Sequence, residues 1–168
     1  QKSPAQQLLD RSNALRRRAK VRNKRDAEDV KNGVTYVFRL DPHLSAPPVR
    51  GAIVEALKLP SKGGVHLATL VYRLPPDHVT EDTKTLIYSH GNATDIGAMY
   101  ALQAILAHSL DCHVVSYDYS GYGSSGGVPM EKHTYQDIAT VYNYTKEHVA
   151  PNQDESRIIL YGLSLIHI

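Results

Sequence analysis

The chain has no tryptophan, a single phenylalanine and a single cysteine, Cys112, among its 168 residues. A lone cysteine excludes an internal disulfide and fits a reducing compartment. Its apolar setting, Cys112-His113-Val114-Val115, marks a buried structural thiol rather than a reactive one. No apolar run approaches the roughly eighteen residues of a membrane-spanning helix, and no signal peptide is visible. The histidines at 43, 66, 78, 108, 113, 133 and 148 lack metal-ligand spacing, and H-E-x-x-H is absent. They read as solvated or incidental. The chain opens on Gln1, so a preceding segment is expected.

What is present fits a soluble globular protein. Hydrophobic residues make up 42% and charged residues 21%, and eleven tyrosines supply the aromatic area. The length suits one domain. The formal net charge of +2 hides a division. Residues 1–25 carry nine Lys/Arg against one acid, Asp10, for +8; the remainder carries ten basic and sixteen acidic residues, for −6. Residues 1–33 therefore form a basic arm before an acidic body. Such an arm is either a solvated linker or a polybasic segment lying on an anionic membrane surface. The second reading places the protein in the cytoplasm, peripheral on the cytoplasmic face of a membrane. No aromatic residues interleave the charges, which argues against nucleic acid as a partner.

Along the body, residues 34–40 and segments near 52–58 and 65–73 read as strands, with Gly63-Gly64 placed for a hairpin between the last two. Beyond Pro75-Pro76 the pattern changes. Short apolar runs at 85–88, 113–117 and 157–161 alternate with helical spacing over 95–110 and 132–149. The first helix is expected to bury Ile96, Met99, Leu102, Ile105/Leu106 and Leu110, with Thr94 or Asp95 as its cap. The second is expected to bury Tyr135, Ile138, Tyr142, Thr145 and Val149. Antiparallel strands leading into parallel βαβ units predict an α/β fold with a doubly wound sheet. Chemistry in such sheets collects at the carboxyl ends of the strands.

Three unusual stretches sit at those ends. His90-Gly91-Asn92 can turn sharply and aim a backbone N–H at developing negative charge, or it is a plain strand-to-loop turn. Asp118-Tyr-Ser-Gly-Tyr-Gly-Ser-Ser125 contains Gly121 to Gly126 in a G-x-G-x-x-G pattern. A dinucleotide site needs a helix to start inside that turn; Gly127 and Pro129 intervene and helical spacing begins only near 131. A structural turn on a pocket rim is the better reading. The third stretch, Gly162-Leu163-Ser164-Leu165-Ile166, is a G-x-S-x-G elbow with isoleucine in place of its second glycine. His167 lies too near Ser164 to serve it as a catalytic histidine in this architecture.

Taken together, YSHGNATDIG, SYDYSGYGSS and IILYG-x-S resemble the α/β-hydrolase superfamily, and within it the membrane-associated serine hydrolases that remove palmitate from cysteine thioesters. The similarity runs from about residue 50 to Gly162. It implies an α/β-hydrolase fold whose N-terminal half occupies 34–162. It also implies Ser164 at the nucleophile position and oxyanion N–H groups at Asn92 and Leu165. His90, Gly91, Asp118, Gly121, Gly123, Ser125 and Gly162 are implied as motif residues. The implied reaction is acyl transfer from an acylated protein or lipid-like substrate through an acyl-serine, without metal or cofactor. The triad Asp and His are implied to lie past residue 168. A hydrolase-fold binding or scaffold protein without catalysis is the alternative, supported by Ile166.

The last six residues, Leu163-Ser-Leu-Ile-His-Ile168, are also what CTG TCT CTT ATA CAC ATC encodes, a transposon end used to tag sequencing libraries. Residues 163–168 are accordingly expected to be an adapter tail, with Ser164 at the nucleophile position by coincidence. The chain as given is expected to be inactive and marginally folded, its sheet left with an open hydrophobic edge that invites aggregation.

Overall fold

The structure is a computed structural model that describes residues 53–163. The basic arm, the strand expected over 34–40 and residues 164–168 lie outside that range.

Strands β1 (Ile53–Pro60) and β2 (His66–Arg73) pair antiparallel, from Ile53 opposite Arg73 to Pro60 opposite His66. The turn between them rests on Gly63 and Gly64, at φ 72° and 73°. That left-handed region is open to glycine at little cost, so the pair does make the hairpin. Next come β3 (Thr85–Ser89), α1 (Tyr100–Ser109), β4 (His113–Tyr117), α2 (Glu131–His148) and β5 (Ile158–Gly162). The sheet order is β1-β2-β4-β3-β5, with β3 parallel to both β4 and β5, and β2 antiparallel to β4. The expected change from antiparallel to parallel pairing is present.

Side chains on successive strand positions point to opposite faces, and each face has its own helix. Leu70, Tyr72, Leu86, Tyr88 and Val114 meet Tyr100, Ala104 and Ala107 of α1. Leu67, Val71, Ile87, Val115 and Tyr117 meet Val141 of α2 and Val149 just past it. Fully burying one such aliphatic side chain is worth roughly 1.5–3 kcal/mol, so the two faces hold the helices in place. Cys112 is buried as expected, and burial, then Asp111, pushes its thiol up to about 11.

Four expectations are corrected. Helix α1 begins at Tyr100 rather than near 95, and no side chain caps it; Asp95 instead accepts from Ala98 N–H at 2.8 Å, closing the turn ahead of the helix. Its buried face is Tyr100, Gln103, Ala104 and Ala107, while Leu102, Ile105 and Leu110 are exposed. Tyr135 of α2 is also exposed, because the inward stripe runs through Asp137, Val141 and Thr145. Among the histidines, His113 is neither solvated nor incidental. It is buried, its Nδ1 accepts from Leu74 N–H at 3.1 Å, and burial with the nearby Arg73 lowers its pKa to about 4.

Candidate active site

The parallel register sets Ser89 level with Tyr117 on one side and with Gly162 on the other. His90, Asp118 and Leu163 therefore leave the sheet side by side, at the carboxyl ends where an open α/β sheet places its site. Leu163 N–H donates to Ser89 carbonyl at 3.0 Å, so the chain leaving β5 is tied to the root of the 90–96 turn.

Asp118, almost wholly buried, is the fastener of this edge. Its Oδ1 accepts from Ile96 N–H at 2.8 Å and its Oδ2 from Ser124 N–H at 2.9 Å. Its carbonyl accepts from Ser125 hydroxyl at 2.6 Å, and that hydroxyl accepts in turn from Ala68 N–H at 2.8 Å. One acidic residue thus joins the loop after β3, its own loop and strand β2. The Asp118 carboxylate occupies the space where a side chain at Gly123 would begin, and Pro129 does the same at Gly121. Both glycines also lie at positive φ, 42° and 84°, so two independent constraints demand glycine there.

The G-x-G-x-x-G loop is consequently closed on itself. Gly121 N–H bonds Gly126 carbonyl at 2.6 Å and Ser124 N–H is spent on Asp118. A helix starts only at Glu131. Nothing in this turn is free to cradle a pyrophosphate in the way the dinucleotide motif does.

His90 is fully buried. Its Nδ1 lies 2.8 Å from Gly91 carbonyl, which can only accept, so that nitrogen carries the proton in this contact. Its Nε2 is 3.5 Å from Asp118 Oδ1 but outside hydrogen-bonding geometry. The ring is held edge-on by Tyr119, with centroids 4.6 Å apart. Having no exposure, His90 shapes the turn rather than meeting a substrate. Asn92, by contrast, is exposed at the tip. The next residue, Ala93, takes φ 59°, a left-handed conformation uncommon outside glycine.

A second buried acid supports the loop from below. Asp137 accepts from Ser120 N–H at 2.7 Å and from Ser120 hydroxyl at 2.8 Å. Burial raises its pKa, and the two Ser120 bonds work against that rise. Beside the site a hollow of ≈ 820 Å³ opens between Tyr117, Tyr122, Met130, Ile138 and Leu163. Among the described residues no group of three His, Cys, Asp or Glu side chains could hold a metal ion.

Comparison with known proteins agrees with this geometry. No protein-family profile matches the chain. The chain is 38% identical over 114 residues to α/β hydrolase domain-containing protein 17C of Xenopus laevis, covering 67% of this chain and 34% of that one. It is 42% identical over 97 residues to α/β hydrolase domain-containing protein aho-3 of Caenorhabditis elegans, covering 58% and 27%. Its fold matches an esterase of Pyrococcus furiosus with a TM-score of 0.52 at 20% identity, over 76% of this chain and 44% of that one. The chain belongs to the α/β-hydrolase superfamily. It spans 24–37% of the length of these curated relatives and their like.

On this α/β-hydrolase frame most of the expected residues fall on one edge. His90, Gly91, Asn92, Asp118, Gly121, Gly123, Ser125 and Gly162 all lie at or just past the carboxyl ends of β3, β4 and β5. Ser164, Leu165, Ile166 and His167 lie outside the described residues. At Gly162 an added Cβ would meet Ser89 Cβ at 3.9 Å, an ordinary contact, so crowding among the described residues does not require glycine there. Sequence reasoning missed Tyr119, Tyr122, Ser120 and Asp137. The first two carried a signal, since a phenol in a tight loop offers both a stacking face and a hydroxyl. For Asp137 the signal was its four-residue spacing to Val141 and Thr145, which puts it on their face of the helix.

Proposed function

We propose that the complete protein is a serine hydrolase that cleaves acyl thioesters or esters, with removal of palmitate from protein cysteines as its reaction. The observation that carries this reading is the level register of three strand ends, Ser89, Tyr117 and Gly162. That register sets the His90–Ala93 turn beside the point where the G-x-S sequence leaves β5. A serine hydroxyl at position 164 attacks the acyl carbonyl while a histidine takes its proton and an aspartate orients that histidine. Backbone N–H groups of Asn92 and of residue 165 receive the oxyanion. Water then releases the acid from the acyl-enzyme. The curated relatives named as α/β-hydrolase proteins support the class, and palmitoyl thioester is the finer assignment within it.

The test is fluorophosphonate labelling of the complete protein, translated from the amplified transcript, followed by release of palmitate from a palmitoylated peptide. Labelling that disappears when the serine at 164 becomes alanine, together with palmitate release, is the expected result. A folded protein that neither labels nor hydrolyses would instead be the non-catalytic binding protein.

A further inference from the structure

We propose that Tyr122 is a positioning residue for the oxyanion turn, acting through the side chain of Asn92. This rests on the serine-hydrolase reading above and extends it to a residue outside the nucleophile, the triad and the oxyanion donors. The loop that follows β4 grips the loop that follows β3 at three successive points. Tyr119 hydroxyl donates to His90 carbonyl at 2.9 Å, before the turn. Asp118 accepts from Ile96 N–H at 2.8 Å, after it. Between them, Tyr122 hydroxyl donates to Asn92 Oδ1 at 3.1 Å, and that same oxygen accepts from Ala93 N–H at 2.9 Å.

The middle grip falls where the backbone most needs it. Ala93 holds φ 59° without being glycine, and such a conformation persists only when its surroundings over-determine it. Asn92 Oδ1 fixes the Asn92–Ala93 peptide and Tyr122 fixes Asn92 Oδ1, while His90 Nδ1 holds the carbonyl of the adjoining Gly91–Asn92 peptide, the one that carries the donor N–H. Tyr122 is itself placed by its ring, which lies 5.7 Å from the His90 and Tyr119 ring centroids. The hydroxyl therefore reaches Asn92 from a rigid support. An oxyanion donor works because it is aimed before the charge develops, and the Tyr122–Asn92 bond supplies that aim. With the Asn92 side chain released, Asn92 and the N–H that precedes it would have to be aligned afresh in each turnover.

Tyr122→Phe keeps the ring and removes only the hydroxyl, so the fold is retained. In the complete protein, with p-nitrophenyl octanoate as substrate, kcat is expected to fall about three- to ten-fold, the worth of one neutral hydrogen bond. KM and the melting temperature are expected to stay as in the wild type. Asn92→Ala removes the acceptor and keeps the backbone donor. On that background Tyr122→Phe should have no further effect, a non-additivity that a role in general stability would not produce. An active wild type whose kcat is unchanged by Tyr122→Phe overturns this proposal alone. So does additivity of the two changes, or a loss of kcat that follows a fall in melting temperature. A wild type that neither labels with fluorophosphonate nor hydrolyses the ester overturns the hydrolase reading and this proposal with it.

Discussion

Asp137 has almost no water around it and both of its oxygens are taken by one residue, Ser120. Burial favours the protonated form, so its folded pKa lies above the 3.8 of a free aspartate. The sign of the linkage follows: the folded state holds this proton longer than the unfolded state. Stability from this group is therefore lost as pH rises from about the unfolded value through the folded one. Asparagine keeps an acceptor for Ser120 N–H and a donor for its hydroxyl while removing the charge. In urea melts of the complete protein at neutral pH, Asp137→Asn is expected to match or exceed the wild type. Asp137→Ala leaves a buried N–H unpaired and should cost about 1–3 kcal/mol. Equal losses in both variants would mean that Ser120 needs the charge itself. This pairing was illegible in the sequence because its two halves stand seventeen residues apart, on a helix and in a glycine-rich loop. Gly121 and Gly123 were legible, since a tight turn at positive φ with no room for a Cβ leaves glycine in the sequence.

Helix α1 shows where periodicity misleads. Its sequence, YALQAILAHS, is apolar on nearly every side, so the leucines and isoleucine alone suggest one face and the structure buries another. Small residues decide the contact: Ala104 and Ala107 let the helix lie close on the sheet, and Gln103 shares their buried face as a polar anchor. Gln103 Oε1 accepts from Tyr72 hydroxyl at 3.1 Å and from Ser116 hydroxyl at 2.9 Å. A glutamine in an apolar stretch reads as solvent-facing unless its partners on β2 and β4 are known. The two readings predict opposite outcomes. Ala104→Leu should overpack the interface and cost about 1–3 kcal/mol. Leu102→Ala, at an exposed position, should change stability by no more than about 0.5 kcal/mol. Denaturant midpoints of the two variants check this, and the reverse order would restore the leucine face. The strands were read more accurately because their apolar runs are short, and chain punctuation by Pro75-Pro76, Asp111 and Pro151 brackets them.

At the scale of the whole molecule, strand, helix, strand, helix, strand was enough to give three parallel strands, since crossover connections leave few alternatives, while their order, β4-β3-β5, comes from the structure. Among the described residues that sheet is unevenly covered, with the expected open apolar edge at β5. Strand β2 is buried along almost its whole length, whereas β5 leaves Ile159, Leu160 and Tyr161 exposed at 46%, 61% and 46%. Natural edge strands are usually blunted by charge, proline, a bulge or a covering element. Ile158–Gly162 has neither charge nor proline, and its outer backbone groups face away from β3. Tyr161 is stacked on Tyr88, its register partner on β3, with ring centroids 5.4 Å apart. An apolar strand in this condition takes another strand, either from further along its own protein or from a second copy. The 168-residue chain expressed by itself is therefore expected to associate as its concentration rises, measured by size-exclusion chromatography with light scattering. Leu160→Lys places a charge on that edge and should shift the chain toward monomer. In the complete protein the same substitution should lower stability instead, because a neighbouring strand and helix would bury the lysine. A 168-residue chain that stays monomeric at every concentration, with or without the lysine, would show that β5 is protected by residues outside 53–163.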